Sequence, residues 1–126
     1  MNLTTSIHTG AIERYIAAWN TRDAEARAKA VAAAWAEDGT YTDPLTEARG
    51  HEQLVAAIGA TQAQFPGYEF KVTGEPDGHH DLVRFTWDLV SVADGSSPAA
   101  GFDVITLAED GRITSVAGFF DRLPGA

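Results

Sequence analysis

The chain contains no cysteine. Disulfides, thiolate nucleophiles and cysteine-ligated metals are excluded together. Basic residues are scarce: 9 Lys and Arg stand against 18 Asp and Glu, a formal net charge of −9. No Lys/Arg cluster offsets this balance locally, so a nucleic acid or an anionic membrane surface is not an expected partner. Long apolar runs are also missing. The longest, Ala30 to Ala36, is far too short to span a bilayer. Met1 to Gly10 shows no basic stretch leading into an apolar one, so no secretory leader is expected and a cytoplasmic location is the default. No Ser-His-Asp constellation, glycine-rich phosphate loop or Walker pattern occurs, and the glycines are read as turn residues.

The remaining composition is that of an ordinary globular protein, with 44% hydrophobic and 21% charged residues. At 126 residues the chain is read as one domain, 1–126. Its first half has helical periodicity. Ile12, Tyr15, Ile16 and Trp19 recur at i, i+3, i+4 and i+7. Asp23 is a plausible N-cap for a second helix, with Ala28, Val31, Ala32 and Trp35 on one face and Gly39 at its left-handed C-terminal stop. A short extended piece, Thr40 to Asp43, ends at Pro44. A loop then leads to Gly50 and a third helix carrying Leu54, Val55, Ile58 and Phe65, closed by Pro66-Gly67.

The second half alternates as strands do. Tyr68, Phe70 and Val72 share a face, and Pro76-Asp77-Gly78 is expected to turn the chain. Val83, Phe85, Trp87 and Leu89 follow on the next strand. Phe102 to Ala108 and Ile113 to Asp121 flank the turn Glu109-Asp110-Gly111. Three helices followed by an antiparallel meander give an α+β class. The opposite sheet face carries Leu82, Val90, Val92, Phe102 and Val104. A sheet apolar on both faces must cover both, so a homodimer through the outer sheet face is expected.

Three side chains stand out for chemistry. Asp43 shares a strand face with Tyr41 and sits at the rim that Pro44 creates; its bland reading is a turn-initiating Asp. Asp103 shares its strand face with Ile105 and Leu107. A carboxyl there must be paired, hydrogen-bonded or neutral, and burial raises its pKa so that it can donate to a developing oxyanion. The competing reading is a solvated strand rim. Tyr15 lies mid-stripe on the first helix, where a buried hydroxyl needs a partner. It is otherwise a core aromatic. Trp19, Trp35, Tyr41, Trp87 and Phe120 could line an apolar cavity, or be plain core. His51, at the start of the third helix, could be a pocket acid or base, or a solvated helix start. His79 and His80 are adjacent and point to opposite faces, a poor metal site. No metal or cofactor is expected. Asp121 ends the last strand, where Arg122 or Arg14 could pair with it.

Arg14-Tyr15-Ile16-Ala17-Ala18-Trp19-Asn20, Trp35 through Pro44, Gly50 opening a helix, Asp110-Gly111-Arg112-Ile113 and the terminal Phe119-Phe120-Asp121 together resemble the nuclear-transport-factor-2-like superfamily. The nearest pattern is its SnoaL-like and ketosteroid-isomerase-like branch, over nearly the whole chain. The resemblance implies a cone-shaped α+β domain, three N-terminal helices packed on a strongly curved, mainly antiparallel sheet. It also implies site roles. Tyr15 matches the isomerases' oxyanion-hole tyrosine, Asp43 their general base, and Asp103 their protonated oxyanion-hole aspartate. Ile58 stands where those isomerases often carry a supporting tyrosine, and Trp35 where some carry a Tyr or Phe. Limonene epoxide hydrolases share the fold, but their catalytic Asp would fall at Gly118, which argues against epoxide hydrolysis. The implied function is proton abstraction beside the carbonyl of a small, mostly apolar molecule, as in an isomerase or a polyketide cyclase. The alternatives are a non-catalytic ligand-binding or dimerisation module on the same fold, and a lyase or hydrolase assisted by His51.

Overall fold

In a computed structural model, which describes residues 2–124, the chain begins with two helices at its N-terminal end. Helix α1 (Ser6–Asn20) starts at Thr5, where the Thr5 and His8 side chains cap each other's backbone. It buries Ile12, Tyr15 and Trp19, as the spacing predicts. Helix α2 (Ala24–Ala34) is capped by Asp23, whose carboxylate accepts the Ala26 N–H at 2.9 Å.

Helix α2 is shorter than expected, and its buried face differs. Val31 and Ala34 point inward, while Ala28 and Ala32 are exposed. Trp35 is already extended and opens strand β1 (Trp35–Asp43). Its indole folds back along the strand, with Nε1 donating to the Thr40 carbonyl at 3.3 Å. Gly39 is therefore no left-handed helix stop. It lies at a bulge in β1, where a Cβ would stand 2.6 Å from Trp35 Cδ1 and 3.0 Å from the Ala36 and Ile113 carbonyl oxygens. Close approach, not backbone sign, requires the glycine.

A two-residue turn, Pro44-Leu45, returns β1 into strand β2 (Thr46–Arg49), where a loop was expected. Helix α3 (Gly50–Gln64) follows and buries Leu54 and Ile58, each contributing roughly 1.5–3 kcal/mol. The meander comprises β3 (Tyr68–His79), β4 (Leu82–Ser91), β5 (Ala99–Leu107) and β6 (Ile113–Arg122). The expected turn at Pro76-Asp77-Gly78 does not form. Strand β3 runs on to His79 across a register shift between Thr73 and Asp77, and the chain reverses at His80-Asp81. Pro76 is tolerated because β3 is an edge strand, where a missing N–H leaves no gap inside the sheet. Gly78 is needed because the His8 ring rests on it: a Cβ would lie 2.8 Å from His8 Cγ.

The strand order is β2-β1-β6-β5-β4-β3, antiparallel except for β1 beside β6. The class is α+β: three helices on one face of a mostly antiparallel, curved six-stranded sheet. Trp35, Tyr15, Leu54, Ile58, Ile105 and Ile113 fill the space between them. The outer face leaves Phe119 50% exposed, stacked on Phe102 with ring centroids 4.9 Å apart. Among the described residues, no helix is long and apolar enough to cross a membrane.

Candidate functional site

Strand register builds the site. Asp103 on β5 pairs with Gly118 on β6, and Thr42 on β1 pairs with Ala117, which puts Asp43 beside Gly118. Asp43, Gly118 and Asp103 therefore form one row across three adjacent strands. Strand spacing puts the two aspartate Cα atoms roughly 10 Å apart, and the glycine between them carries nothing. A Cβ on Gly118 would lie 2.9 Å from Asp103 Oδ1 and 3.4 Å from both Asp43 Cβ and the Tyr41 hydroxyl. The Asp103 carboxyl leans into that gap, and Asp43 and the Tyr41 hydroxyl border it from the other side.

Each carboxyl holds a tyrosine. Tyr15, reaching down from α1, donates to Asp103 Oδ2 at 2.6 Å. The Trp87 indole on β4 donates to Asp103 Oδ1 at 3.3 Å. Tyr41, two residues before Asp43 on the same strand face, donates to Asp43 Oδ2 at 2.5 Å. The Leu45 N–H donates to Asp43 Oδ1 at 2.8 Å, closing the tight turn at Pro44. One Asp43 oxygen thus serves the turn, as its local sequence suggests, and the other pairs with Tyr41.

The electrostatics separate the two dyads. Asp103 is 3% exposed, and burial pushes its carboxyl up to about 6. The hydrogen bonds from Tyr15 and Trp87 oppose that rise, and the charge of Asp43 adds to it. Burial first, and then the charge of Asp103, raise the Tyr15 phenol well above its ordinary value. Tyr41 is likewise raised, by burial and then by the charges of Asp103 and Asp43. Both phenols are therefore neutral donors at physiological pH.

The dyads open on a cavity of about 630 Å³, a size suited to a small organic ligand. Tyr15, Trp19, Tyr41, Asp43, Trp87, Asp103 and Phe120 all line it. Five rings run round its wall in a chain. Neighbouring centroids lie 5.2 Å apart for Tyr41–Trp19, 5.3 Å for Trp19–Phe70, 5.2 Å for Phe70–Trp87 and 6.0 Å for Trp87–Phe120. Thr46, Thr61 and Gln64 add neutral polar groups. No Lys, Arg or His is among the lining residues, so nothing there would offset an anionic ligand. Among the described residues, no group of three or more His, Asp or Glu could hold a metal ion.

Two expected pocket residues lie elsewhere. Trp35 is fully buried beneath Tyr15, with ring centroids 5.3 Å apart, and belongs to the core. His51 turns toward the end of α2, where its Nε2 meets the Trp35 and Ala36 carbonyls at 2.9 and 3.1 Å. Both carbonyls are acceptors, so Nε2 carries the proton and the ring ties α3 to the start of β1. Asp121 forms no ion pair among the described residues; Arg14 donates to the Gly111 carbonyl and Arg122 to Ser97.

Two positions that shape the candidate site escape sequence reasoning because the glycines read as turns. Gly118 floors the gap between the carboxylates. Gly101 gives Trp87 its place: a Cβ there would lie 2.7 Å from Trp87 Cζ2 and 2.1 Å from the Phe119 carbonyl oxygen. The available signal was a glycine inside an alternating strand, which marks close approach.

Residues 12–116 match the family model described as the SnoaL-like domain. Among solved structures, a SnoaL-like family protein from Agrobacterium tumefaciens, provisionally assigned as an isomerase, is 44% identical with a TM-score of 0.87, covering 93% of this chain and 99% of that one. A Nostoc punctiforme protein of unknown function with a cystatin-like fold is 18% identical with a TM-score of 0.76, covering 99% and 98%. A protein from Jannaschia sp. CCS1, provisionally assigned as a SnoaL-like polyketide cyclase, is 17% identical with a TM-score of 0.71, covering 94% and 90%. The last two share the fold. No curated protein matches the chain.

Proposed function

The chain belongs to the SnoaL-like domain family, and from that premise we propose that it is a small-molecule enzyme that abstracts a proton beside the carbonyl of a mostly apolar substrate. The observation that carries this reading is the convergence of Asp43, Tyr15 and Asp103 on one aromatic-walled cavity. Asp43 is the base. It takes the proton α to the carbonyl, and the C–H electron pair becomes the enolate. The Tyr15–Asp103 dyad faces the enolate oxygen.

The dyad can serve that oxygen only in one protonation state. With Asp103 ionised, the Tyr15 proton is committed to it. With Asp103 neutral, the pair holds two protons and can direct them to the substrate. A carboxyl pushed up to about 6 sits within reach of that state, and an acceptor oxygen replacing water would draw it further toward neutrality. Returning the proton from Asp43 to a different carbon gives isomerisation. Passing an Asp103 proton to a departing hydroxyl gives dehydration. The relatives provisionally assigned as an isomerase and a polyketide cyclase fit proton abstraction beside a carbonyl and specify no substrate.

The test is a screen of enones and β-hydroxy ketones against the wild-type protein and Asp43→Asn. Turnover is expected to fall by roughly 10²–10⁴-fold in the variant. Full turnover in Asp43→Asn would remove Asp43 as base, and ligand binding without turnover would favour a binding module. The same reading joins two copies through the outer sheet face, where Phe119 stacks on Phe102 beside exposed apolar residues. Sedimentation velocity checks it; a monomer at tens of micromolar, an order-of-magnitude working concentration, contradicts it.

A further inference from the structure

Gly118 leaves the floor of the cavity bare, and two oxygens border the space above it. A Cβ there would lie 2.9 Å from Asp103 Oδ1 and 3.4 Å from the Tyr41 hydroxyl. Neither the Asp43 carboxylate nor the Tyr15 hydroxyl comes closer to that point than these two. Both distances are to one point, so the two oxygens are no more than roughly 6 Å apart, a span that one oxygen bridges with two hydrogen bonds of ordinary length. Tyr15 is bonded to the other Asp103 oxygen, Oδ2, at 2.6 Å. Tyr41 is 5% exposed and lines the cavity. In the free protein it donates to Asp43 Oδ2. Burial, and then the charges of Asp103 and Asp43, raise its phenol far above the ordinary value, so it keeps its proton.

We infer that Tyr41 is a second catalytic donor to the enolate oxygen, its hydrogen bond passing from Asp43 to that oxygen as the negative charge does; this rests on the proposed roles of Asp43 as base and Asp103 as donor. A phenol has one proton to donate. A hydrogen bond to a charged oxygen is roughly twice as strong as one to a neutral oxygen, so the proton follows the charge. Before reaction the charge is on Asp43, and Tyr41 donates there. Tyr41 and the Leu45 N–H occupy one lone pair on each Asp43 oxygen, which leaves the others free for a substrate proton. In the step, the substrate C–H bond breaks, an O–H bond forms on Asp43, and the electron pair passes to the carbonyl oxygen. Asp43 is then neutral and the enolate oxygen is charged. The Tyr41 hydroxyl turns about its C–O bond and donates to the enolate, its own O–H bond intact. Neutral Asp103 donates from Oδ1 on the opposite side. A bond made to the substrate only as charge develops lowers the barrier without tightening ground-state binding.

The test uses 4-nitrophenolate, an oxyanion that imitates the enolate. Asp43→Asn imitates the protonated base, since it carries no charge and releases Tyr41 to an anionic ligand. In that background Tyr41→Phe should weaken 4-nitrophenolate binding by roughly 10–100-fold, the worth of a hydrogen bond to a charged group. With Asp43 intact and ionised, Tyr41 stays on Asp43, and Tyr41→Phe should leave the affinity nearly unchanged. Equal losses in both backgrounds, or no loss in Asp43→Asn, overturn the role of Tyr41 and leave the oxygen site at Asp103 standing. 4-Nitrophenolate that fails to bind Asp43→Asn overturns both. With an enone substrate, Tyr41→Phe alone should lower kcat and leave KM unchanged; a raised KM with normal kcat also overturns the role. In Asp43→Asn labelled with ¹³C at tyrosine Cζ, the Tyr41 signal should move downfield when 4-nitrophenolate binds. An unmoved Tyr41 signal overturns the role even if Tyr41→Phe does not fold.

Discussion

Asp103→Asn should gain stability relative to the wild type as the pH rises from 4 to 8. The Asp103 carboxyl rises from an ordinary 3.8 to about 6, chiefly because burial penalises the charged form. Between those values the native state holds more proton at Asp103 than the unfolded chain does. Stability from this group is therefore full below pH 3.8, falls as the pH rises to about 6, and stays low above. Two units correspond to about 3 kcal/mol. The two hydrogen bonds to the carboxylate are already included in that balance. Asparagine removes the charge and keeps the shape, and its amide oxygen can still accept from Tyr15. Its NH₂ then faces the Trp87 N–H and cannot accept from it, a cost of about 1–3 kcal/mol that does not depend on pH. Between pH 4 and pH 8 the difference should shift in the variant's favour by up to about 3 kcal/mol, on the order of 10 °C in Tm for a chain of this size. Urea denaturation of both proteins at one-unit steps from pH 4 to pH 8 measures the difference. Other titrating groups are common to both and cancel. A difference that does not change with pH, or one in which the variant loses ground as the pH rises, would refute the reasoning. On the proposed mechanism the variant should also lose turnover, since it cannot supply the proton of a neutral Asp103.

Tyr15→Phe removes a hydrogen bond that holds the Asp103 pKa down. The carboxyl ¹³C titration midpoint should move up from about 6, and an unchanged or lower midpoint counts against the dyad. Gly118→Ala places a methyl group 2.9 Å from Asp103 Oδ1. Asp103 must swing away, stability should drop by roughly 1–3 kcal/mol, and enone turnover should be lost; normal turnover would show that the gap is not part of the site. Gly39→Ala meets Trp35 Cδ1 at 2.6 Å and two carbonyl oxygens at 3.0 Å. It should destabilise by a similar amount, about 1–3 kcal/mol, and leave ligand affinity in the folded protein unchanged; wild-type stability would mean that the bulge relaxes freely.

The misread elements share a cause. Helical alanine periodicity runs past Ala34 because alanine suits a helix anywhere. The break at Trp35 comes from its indole seating against its own strand and Gly39, contacts that exist only after β1 pairs with β6. Pro76-Asp77-Gly78 has the composition of a turn, but an edge position and the His8 ring make it a strand. His51 has the chemistry of a pocket base and spends its proton on two backbone carbonyls.

The sequence alone determined the class, the charge and the candidate side chains for chemistry. Helical spacing buried Tyr15, and strand parity put Asp103 on an apolar face and Asp43 beside Tyr41. Those are period-3.6 and period-2 facts, local to each element. Only the tertiary structure decided that the two aspartates face each other. Their meeting depends on the register of three strands and on the glycine in the middle one, with β1 lying parallel to β6 across about 70 residues of intervening chain. It also decided that Tyr15 gives its proton to Asp103 and that Trp19 is left without a partner. Donor and acceptor pairings are set by ångström-scale packing between distant elements, and no local pattern encodes them.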